Sequence, residues 1–341
     1  MPQHHVAPEE AVQKYLNSRH DVTQSTRDNH RYRLGIFSDW AQDREIESMS
    51  SLGGLDVQEY ANYRHNGADT GAPDCAPVTT QQHLHTLRVF LRFCERTDII
   101  EEGLSDSVPI PSVSANERSR DQAIEHDRMT QILEYLAQFR WASKEHIILG
   151  TLYHTGVRRS ALHALDVRDW HAEECYLSII NREDEGTRIK LGSEGERHVS
   201  ITSNTLAEAL NDWVETNRPQ VRDEHGRRPL IATTHGRIHP QTISKVCYKL
   251  TRPCVTTDGC PHDRVLDECE AAMAHGASEC PSSEGSHALR RSSITHHLAQ
   301  DVPHQVVSSR MSVSESVLTE HYDARDAEQK RANREQYLDD V

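Results

Sequence analysis

The sequence lacks a long apolar run. No stretch approaches the ~20 consecutive apolar residues that a membrane-spanning helix requires. The first residues, MPQHHVAPEEAVQKYL, also lack the charged start and apolar centre of a secretory signal peptide. These absences weigh against a membrane protein or a secreted protein. We therefore expect a cytoplasmic location and no membrane partner.

The sequence is also short of positive charge. Asp and Glu total 53 against 38 Lys and Arg, which gives a formal net charge of −15, and there are 23 His. Such a surface does not attract nucleic acid over long distances, but it does not exclude nucleic acid as a partner. The acidic balance resembles that of proteins from halophilic organisms. At ~1 M salt the Debye length is about 3 Å, so repulsion from an anionic ligand would be screened.

Helical periodicity dominates the first part of the chain, and no internal repeat is visible. Four segments with apolar residues at helical spacing predict a compact helical domain over residues 1–105: 8–20, 23–44, 54–67 and 77–100. The Pro- and Ser-rich stretch SDSVPIPSVSANERSR follows without helical period. It predicts a linker over 106–121.

The remainder predicts a second domain over 122–330 and a charged tail over 331–341. CYLSIINRE (175–183) and ERHVSIT (196–202) alternate like paired antiparallel strands. Further helices are predicted at 127–140, 144–155, 203–217, 239–250, 287–299, 303–309 and 314–321. The predicted fold class is mainly α with a small antiparallel β-sheet.

Cationic residues collect in two separate motifs, and a third motif ends on a tyrosine. HTGVRRSALHALDVRDW (154–170) contains Arg158, and SSEGSHALRRSSITHHLAQ (282–300) contains His287, Arg290 and Arg291. SVSESVLTEHYDARD (312–326) contains Tyr322. Arginine binds phosphate oxygens through paired N–H groups, and a tyrosine hydroxyl near positive charge can act as a nucleophile. The combination indicates phosphoryl transfer.

In their order and separation, TGVR, HALRRSSITHHL and LTEHYD resemble the tyrosine recombinase (phage integrase) family. The resemblance covers about 122–330 and implies a helical DNA core-binding domain followed by an α+β catalytic domain. It implies catalytic roles for Arg158, Lys190, His287, Arg290 and the nucleophile Tyr322. It further implies a 3′-phosphotyrosyl link, a free 5′-hydroxyl and no cofactor for catalysis. The implied partners are duplex DNA with inverted-repeat sites and three further copies of the chain, which form a tetramer on DNA.

The sequence departs from the family pattern at three places. Ala161 stands where the family has an acidic residue, and SRMS (309–312) replaces the usual L-G-H or L-G-W. Ser312 could still donate a hydrogen bond to phosphate, as could Arg291. KLGSEGER, which contains Lys190, is two residues longer than the usual hairpin. Tyr337 is a second tyrosine near the end, but it lies in a polar segment outside the motif.

Four of the eight cysteines fall in an insertion at about 253–281: Cys254, Cys260, Cys269 and Cys280. In a reducing compartment such a cluster favours a metal over disulfides. The spacings are longer than the short pairs typical of structural zinc sites. A structural zinc site and a packed loop with free thiols both remain open.

Basic residues on predicted helices suggest DNA contacts. The segment SKVCYKLTR (244–252) carries three of them, and two N-terminal helices carry four more: Lys245, Lys249, Arg252, Arg27, Arg31, Arg88 and Arg92. A solvated face of mixed charge is the competing interpretation for each helix. For the whole chain, three alternatives to a recombinase stay open: a type IB topoisomerase-like enzyme, an inactive DNA-binding regulator on the same fold, and a zinc-organised interaction module.

Overall fold

The computed structural model describes residues 5–65, 75–113, 123–257, 259–273 and 276–322. The chain divides into two compact units, Met1–Asp121 and Gln122–Val341. Within the described ranges, no helix is both long enough and apolar enough to cross a membrane. The predicted tail over 331–341 and the predicted end of the second domain lie outside the described residues.

Four α-helices form the described part of the first unit: α1 (Pro8–Ser18), α2 (Gln24–Asp43), α3 (Gly54–His65) and α4 (Pro77–Arg96). Proline occupies the first turn of α1 and of α4, where its missing N–H is not needed. The side chain of Thr23 caps α2 by accepting from the amide of Thr26. Aromatic side chains meet edge to face in the core, among them Phe37 with Tyr60. The four predicted helices are therefore present.

The first residues of the predicted linker pack against the first unit. Residues Leu104–Ser107 form a 3-10 turn, and Val108 is only 1% exposed in the core of the first unit. Arg88 donates to the carbonyl of Val108 at 2.6 Å, and Gln81 donates to the carbonyl of Pro111 at 2.7 Å. Burial of one valine and these two hydrogen bonds hold the segment against α4. Residues 114–121 of the predicted linker lie outside the described ranges.

The second unit is built around a helix that is buried on nearly every side. This central helix, α6 (Lys144–Thr155), contains the segment HIILGTLYHT, which has apolar residues all round rather than on one stripe. Helices α5 (His126–Phe139), α7 (Arg159–Ala164), α8 (Asn204–Asp212), α9 (Pro240–Leu250) and α10 (Ser286–Ala299) all pack against it. Two short helices follow, α11 (His304–Met311) and α12 (Glu315–His321).

A small antiparallel sheet lies between α7 and α8. Its strands are β1 (Trp170–His171), β2 (Tyr176–Ile179) and β3 (Arg197–Ser200), in the order β1-β2-β3. Leu177 pairs with both Trp170 and Val199, so apolar side chains share one face. Two further strands, β4 (Ala232–Thr233) and β5 (Gly236–Arg237), form a separate hairpin. The prediction of a mainly helical chain with a small antiparallel sheet is confirmed.

The cysteine-containing insertion folds as a series of 3-10 turns: Pro253–Val255, Leu266–Glu268, Glu270–Ala272 and Ala277–Glu279. Two arginines hold it to the helical core through backbone carbonyls. Arg252 donates to Ala271, and Arg128 donates to Thr251 and to Ser282. The bond to Ala271 lies within the insertion, and the bonds to Thr251 and Ser282 fix the chain at its two ends.

Candidate active site

The turn after α6 places Arg158. Gly156 follows the last residue of α6 with a φ of 62°, in the left-handed region. A Cβ at this position would lie 2.6 Å from the sulfur of Met311. Glycine is thus required both by conformation and by close approach. After this turn the chain enters α7, whose N-cap is Arg158.

Helix α10 contributes His287 and Arg290, which lie three residues apart on one face. Arg290 is only 4% exposed. Its neighbour Arg291 lies over the ring of Tyr322, with the guanidinium carbon 5.5 Å from the ring centre. Helix α10 therefore supplies His287 and Arg290 to the candidate site and also supplies Arg291, which contacts Tyr322.

Three arginines bind the last carbonyls of α11. Arg158 donates to the carbonyl of Ser312 at 2.8 Å, and Arg290 donates to that of Met311 at 2.8 Å. Arg197 on β3 donates to the preceding carbonyl, that of Arg310, at 2.7 Å. The last carbonyls of a helix lack intrahelical partners and carry partial negative charge, so guanidinium groups are suitable partners.

Four neighbouring arginines, Arg158, Arg197, Arg290 and Arg310, form a cluster that meets no carboxylate among the described residues. Across the described ranges, no ion pair forms with Arg158, Arg197, Arg290 or Arg310. Burial, followed by repulsion from Arg158, lowers the pKa of Arg290 and lowers that of Arg197 to about 10. Guanidinium groups stay protonated at neutral pH even so. The cluster is therefore a concentration of positive charge in an acidic protein.

Tyr322 lies at the end of α12, half-buried beside the arginines. Its ring packs on a small apolar cluster contributed by α10, α11 and α12: Ile294, Leu298, Val307, Met311, Val313 and Leu318. Burial lowers the pKa of both Arg158 and Arg290, and the charge of a Tyr322 phenolate would oppose that shift on each arginine. The structure thus brings the predicted nucleophile and the predicted arginines together.

A pocket of about 400 Å³ opens in front of Arg158, His287 and Arg290. Partial burial, followed by the positive charges of Arg290 and Arg291, lowers the pKa of His287. The His287 imidazole is therefore neutral at neutral pH and able to accept a proton. A concave site lined by cations and a neutral base suits an anionic substrate.

Lys190 lies exposed between β2 and β3, and it does not line this pocket. The connection around it is anchored: Arg182 donates to both carboxylate oxygens of Asp169, at 2.8 and 2.5 Å. Arg227 donates to the hydroxyl of Thr187 at 2.8 Å. The catalytic role of Lys190 stays a prediction.

Ser312 takes a different part from the one predicted. It has a φ of 52° after the end of α11, and it offers its backbone carbonyl to Arg158. The contact therefore uses the main chain and leaves the predicted phosphate contact of its hydroxyl untested. Sequence reasoning also missed Arg197, whose only signal is its place in the predicted strand ERHVSIT.

The basic residues of α9 differ in exposure. Lys245 and Lys249 are exposed, as a DNA-binding helix requires. Arg252 is 7% exposed and binds the carbonyl of Ala271, an arrangement that does not favour DNA contact, and its predicted contact with DNA stays a prediction. Its position just after the helix lets its long side chain fold inward to the insertion.

The four N-terminal arginines fall into two pairs. Arg27 and Arg88 each donate to a backbone carbonyl of their own unit, at 2.7 and 2.6 Å. Arg31 and Arg92 are exposed and pair with acidic neighbours at 2.5 and 3.6 Å. Exposed ion pairs are weak, so these two side chains can exchange partners. DNA contact by all four stays a prediction.

The four cysteines of the insertion are free thiols, with Cys280 buried and the others half-buried. No group of three or more His, Cys, Asp or Glu side chains in the described ranges is placed to hold a metal ion. The structure therefore does not assemble the predicted site of Cys254, Cys260, Cys269 and Cys280. Metal analysis of the purified chain tests the zinc prediction.

Comparison with known proteins points to one family, although no family model matches the chain. The tyrosine recombinase XerD of Oceanobacillus iheyensis is 22% identical over 154 residues, 44% of this chain and 50% of XerD. The match thus spans about half the length of that relative. The Tn1549 transposon integrase, solved with a circular intermediate DNA, is 13% identical and has a TM-score of 0.67. Its alignment covers 98% of this chain and 100% of that one.

A lambda integrase dimer bound to a COC′ core site has a TM-score of 0.60 at 14% identity. The alignment covers 94% of this chain and 96% of that one. The fold is therefore the one that integrases of this type share. The predicted resemblance to the tyrosine recombinase, or phage integrase, family is confirmed by both sequence and fold.

Proposed function

We propose that this chain is a site-specific DNA recombinase or integrase that cuts and rejoins DNA strands through a 3′-phosphotyrosyl link on Tyr322. The observation that carries the proposal is the cluster of Arg158, Arg197, Arg290 and Arg310. It meets no described carboxylate and lies beside Tyr322. A DNA phosphate is an anion that such a cluster can bind.

The proposed reaction is an exchange of phosphate esters. The Tyr322 oxygen attacks phosphorus while the bond from phosphorus to the 5′-oxygen breaks. Arg158 and Arg290 stabilise the charge on the non-bridging oxygens. His287 accepts the tyrosine proton, and Lys190 donates a proton to the 5′-oxygen. Attack by a 5′-hydroxyl then reverses these steps and reseals the strand, so no cofactor is required.

We further propose that the substrate is duplex DNA with inverted repeats, bound in the cytoplasm by four copies of the chain. Exposed Lys245 and Lys249 would contact DNA backbone phosphates from α9. Strand cleavage is expected to continue in the presence of a metal chelator. Loss of cleavage on chelation would instead assign a part to the cysteine-containing insertion.

Covalent trapping tests the proposal. The protein is incubated at high salt with nicked suicide duplexes that carry candidate inverted repeats, and adducts are separated on a denaturing gel. We expect an adduct with the wild type and with Tyr337→Phe, and none with Tyr322→Phe. An adduct that survives Tyr322→Phe but disappears in Tyr337→Phe would move the nucleophile to the tail.

A second candidate is a DNA-binding regulator without catalysis. The residue that favours it is Ser312, which occupies the place of the usual His or Trp and binds Arg158 through its carbonyl. Good occupancy of DNA without an adduct, on every duplex tested, would support the regulator. A type IB topoisomerase-like enzyme would instead form the adduct and relax supercoiled DNA without pairing two sites.

A further inference from the structure

A second tyrosine reaches the candidate active site from α9. Tyr248 is half-buried and lines the same pocket of about 400 Å³ as Arg158, His287 and Arg290. It lies within one turn of Ser244, whose hydroxyl accepts from Arg159 at 2.7 Å. Neither the family motifs nor the sequence analysis assigned Tyr248 a role.

Gly285, the residue before α10, allows Tyr248 to lie close to the start of that helix because glycine has no side chain. A Cβ at Gly285 would lie 2.9 Å from the hydroxyl oxygen of Tyr248 and 3.0 Å from its ring carbon Cζ. Thr251 also ties the two segments together: its hydroxyl accepts from the amide of Glu284 at 2.7 Å and donates to the Glu284 carbonyl at 3.1 Å. The Tyr248 hydroxyl is thus held against the start of the helix that carries His287.

The side-chain hydroxyl of Tyr248 has no hydrogen-bond partner within the described part of the chain. The pocket around it is lined by arginines, serines, His287 and Gly285, with no carboxylate among the lining residues. The pocket therefore presents hydrogen-bond donors, and the half-buried Tyr248 hydroxyl has no described partner. Such a lining is suitable for binding an oxyanion.

We propose that the Tyr248 hydroxyl donates a hydrogen bond to a DNA phosphate oxygen in this pocket, and so is a further substrate-contacting residue. The inference rests on the proposed function. The phosphate is either the scissile one, held with Arg158 and Arg290, or the adjacent one in the same strand. The chemistry of recognition is the same in both cases.

Tyr248→Phe removes only the hydroxyl and keeps the packing of the ring. A hydrogen bond to a charged group contributes about 1.5–3 kcal/mol, or roughly 10–100-fold. A contact to the scissile phosphate predicts that the adduct forms roughly 10–100-fold more slowly once the duplex is bound. A contact to the adjacent phosphate predicts weaker binding of the duplex with an unchanged cleavage rate once bound.

The matched control is Tyr135→Phe, because Tyr135 on α5 is also half-buried and lies outside the pocket. Three proteins are compared for duplex affinity and for adduct formation: the wild type, Tyr248→Phe and Tyr135→Phe. In a second assay, inorganic phosphate and orthovanadate are added and the rise in melting temperature is recorded. We expect a smaller rise with Tyr248→Phe than with the other two proteins.

The outcomes separate this inference from the proposed function. If the wild type forms an adduct that needs Tyr322, and Tyr248→Phe matches it in cleavage, DNA affinity and anion response, the recombinase stands and the Tyr248 contact is refuted. If no adduct forms but the anion response falls in Tyr248→Phe, catalysis is refuted and the contact stands. If the wild type shows neither an adduct nor an anion response, both are refuted.

Discussion

Gly156 shows how much one residue can determine in this site. Because its φ is 62° and Met311 leaves no room for a Cβ, we expect Gly156→Ala to lower the free energy of unfolding by about 2–4 kcal/mol. It should also reduce adduct formation, because Arg158 follows two residues later. Urea denaturation and the trapping assay measure the two effects.

The matched control for this change is Gly35→Ala. Gly35 lies within α2, has no positive φ, and has no atom within 4 Å of an added Cβ. Alanine there should raise the free energy of unfolding by ~0.5–1 kcal/mol, because it favours the helix. Equal effects at the two positions would contradict the steric argument for Gly156.

A second prediction at the scale of single residues concerns Lys190, the proposed general acid. Because the side chain is exposed, we expect Lys190→Ala to leave the free energy of unfolding within about 0.5 kcal/mol of the wild type. It should slow cleavage of an ordinary phosphodiester by roughly 10²–10⁴-fold, as loss of a general acid does. A duplex with sulfur in place of the 5′-bridging oxygen has a leaving group that needs no proton, so it should restore the rate.

Arg188→Ala is the control, since Arg188 is also exposed in the same connection. It should behave like the wild type on both duplexes. If the sulfur-containing duplex does not rescue Lys190→Ala, then Lys190 acts on something other than the leaving oxygen.

The sequence indicates which single residues lie near one another where chemistry and motif coincide, and it does not indicate contacts between residues far apart in the chain. Arg158, Arg290 and Tyr322 lie together as predicted. Arg252 resembles a DNA-binding residue in the sequence, yet its guanidinium binds a carbonyl 19 residues away in the chain. Arg197 reaches a carbonyl 113 residues away, and no local pattern reports that distance.

At the scale of elements, α5, α6, α8 and α10 line an open pocket of about 380 Å³ that is rich in histidine. The rings of His126 and His296 stack with centres 4.0 Å apart. Burial, followed by repulsion from His297, when it is protonated, and from Arg310, lowers the pKa of His154 to about 4. Burial also lowers the pKa of both His296 and His297. These helices therefore pack around uncharged imidazoles.

We expect acid to destabilise the second unit through this cluster. A histidine with a folded pKa near 4 and an unfolded pKa near 6.5 binds more protons when unfolded, so its contribution is complete above pH 6.5. The free energy of unfolding should fall as the pH decreases from about 6.5 to about 4. Urea denaturation across this range, compared with His154→Gln, measures the effect.

His20→Gln is the matched control, because His20 is exposed in the first unit. It should keep the pH dependence of the wild type, whereas His154→Gln should make the decrease in acid smaller. If the free energy of unfolding of the wild type stays constant between pH 6.5 and 4, protonation of the pocket histidines does not destabilise the folded protein.

Elements were predictable where apolar spacing and turn residues agree. The helix predicted at 144–155 has these same bounds in the structure, and the predicted strands overlap β2 and β3. Four elements were not predicted: α7, which is six residues long, and β1, β4 and β5, which have two residues each. Elements this short have too few residues for a period, so tertiary contacts decide them.

For the whole molecule, the excess of acidic residues leads to a prediction about salt. With a net charge of −15, the acidic side chains repel one another in the folded protein. At ~1 M salt the Debye length falls to about 3 Å, so this repulsion is screened. We expect the free energy of unfolding to rise between low salt and about 1 M KCl. Urea denaturation at fixed pH measures it. A decrease would mean that attractive ion pairs outweigh the net repulsion.

The arginines at the end of α11 have a consequence for how this site tolerates sequence change. Their partners at positions 310–312 are peptide oxygens, which every amino acid carries. A substitution at Ser312 can add or remove a side-chain donor without deleting the anchor of Arg158, provided that the backbone keeps its positive φ. The chemistry of that position can therefore vary through evolution while the placement of the cations is inherited unchanged.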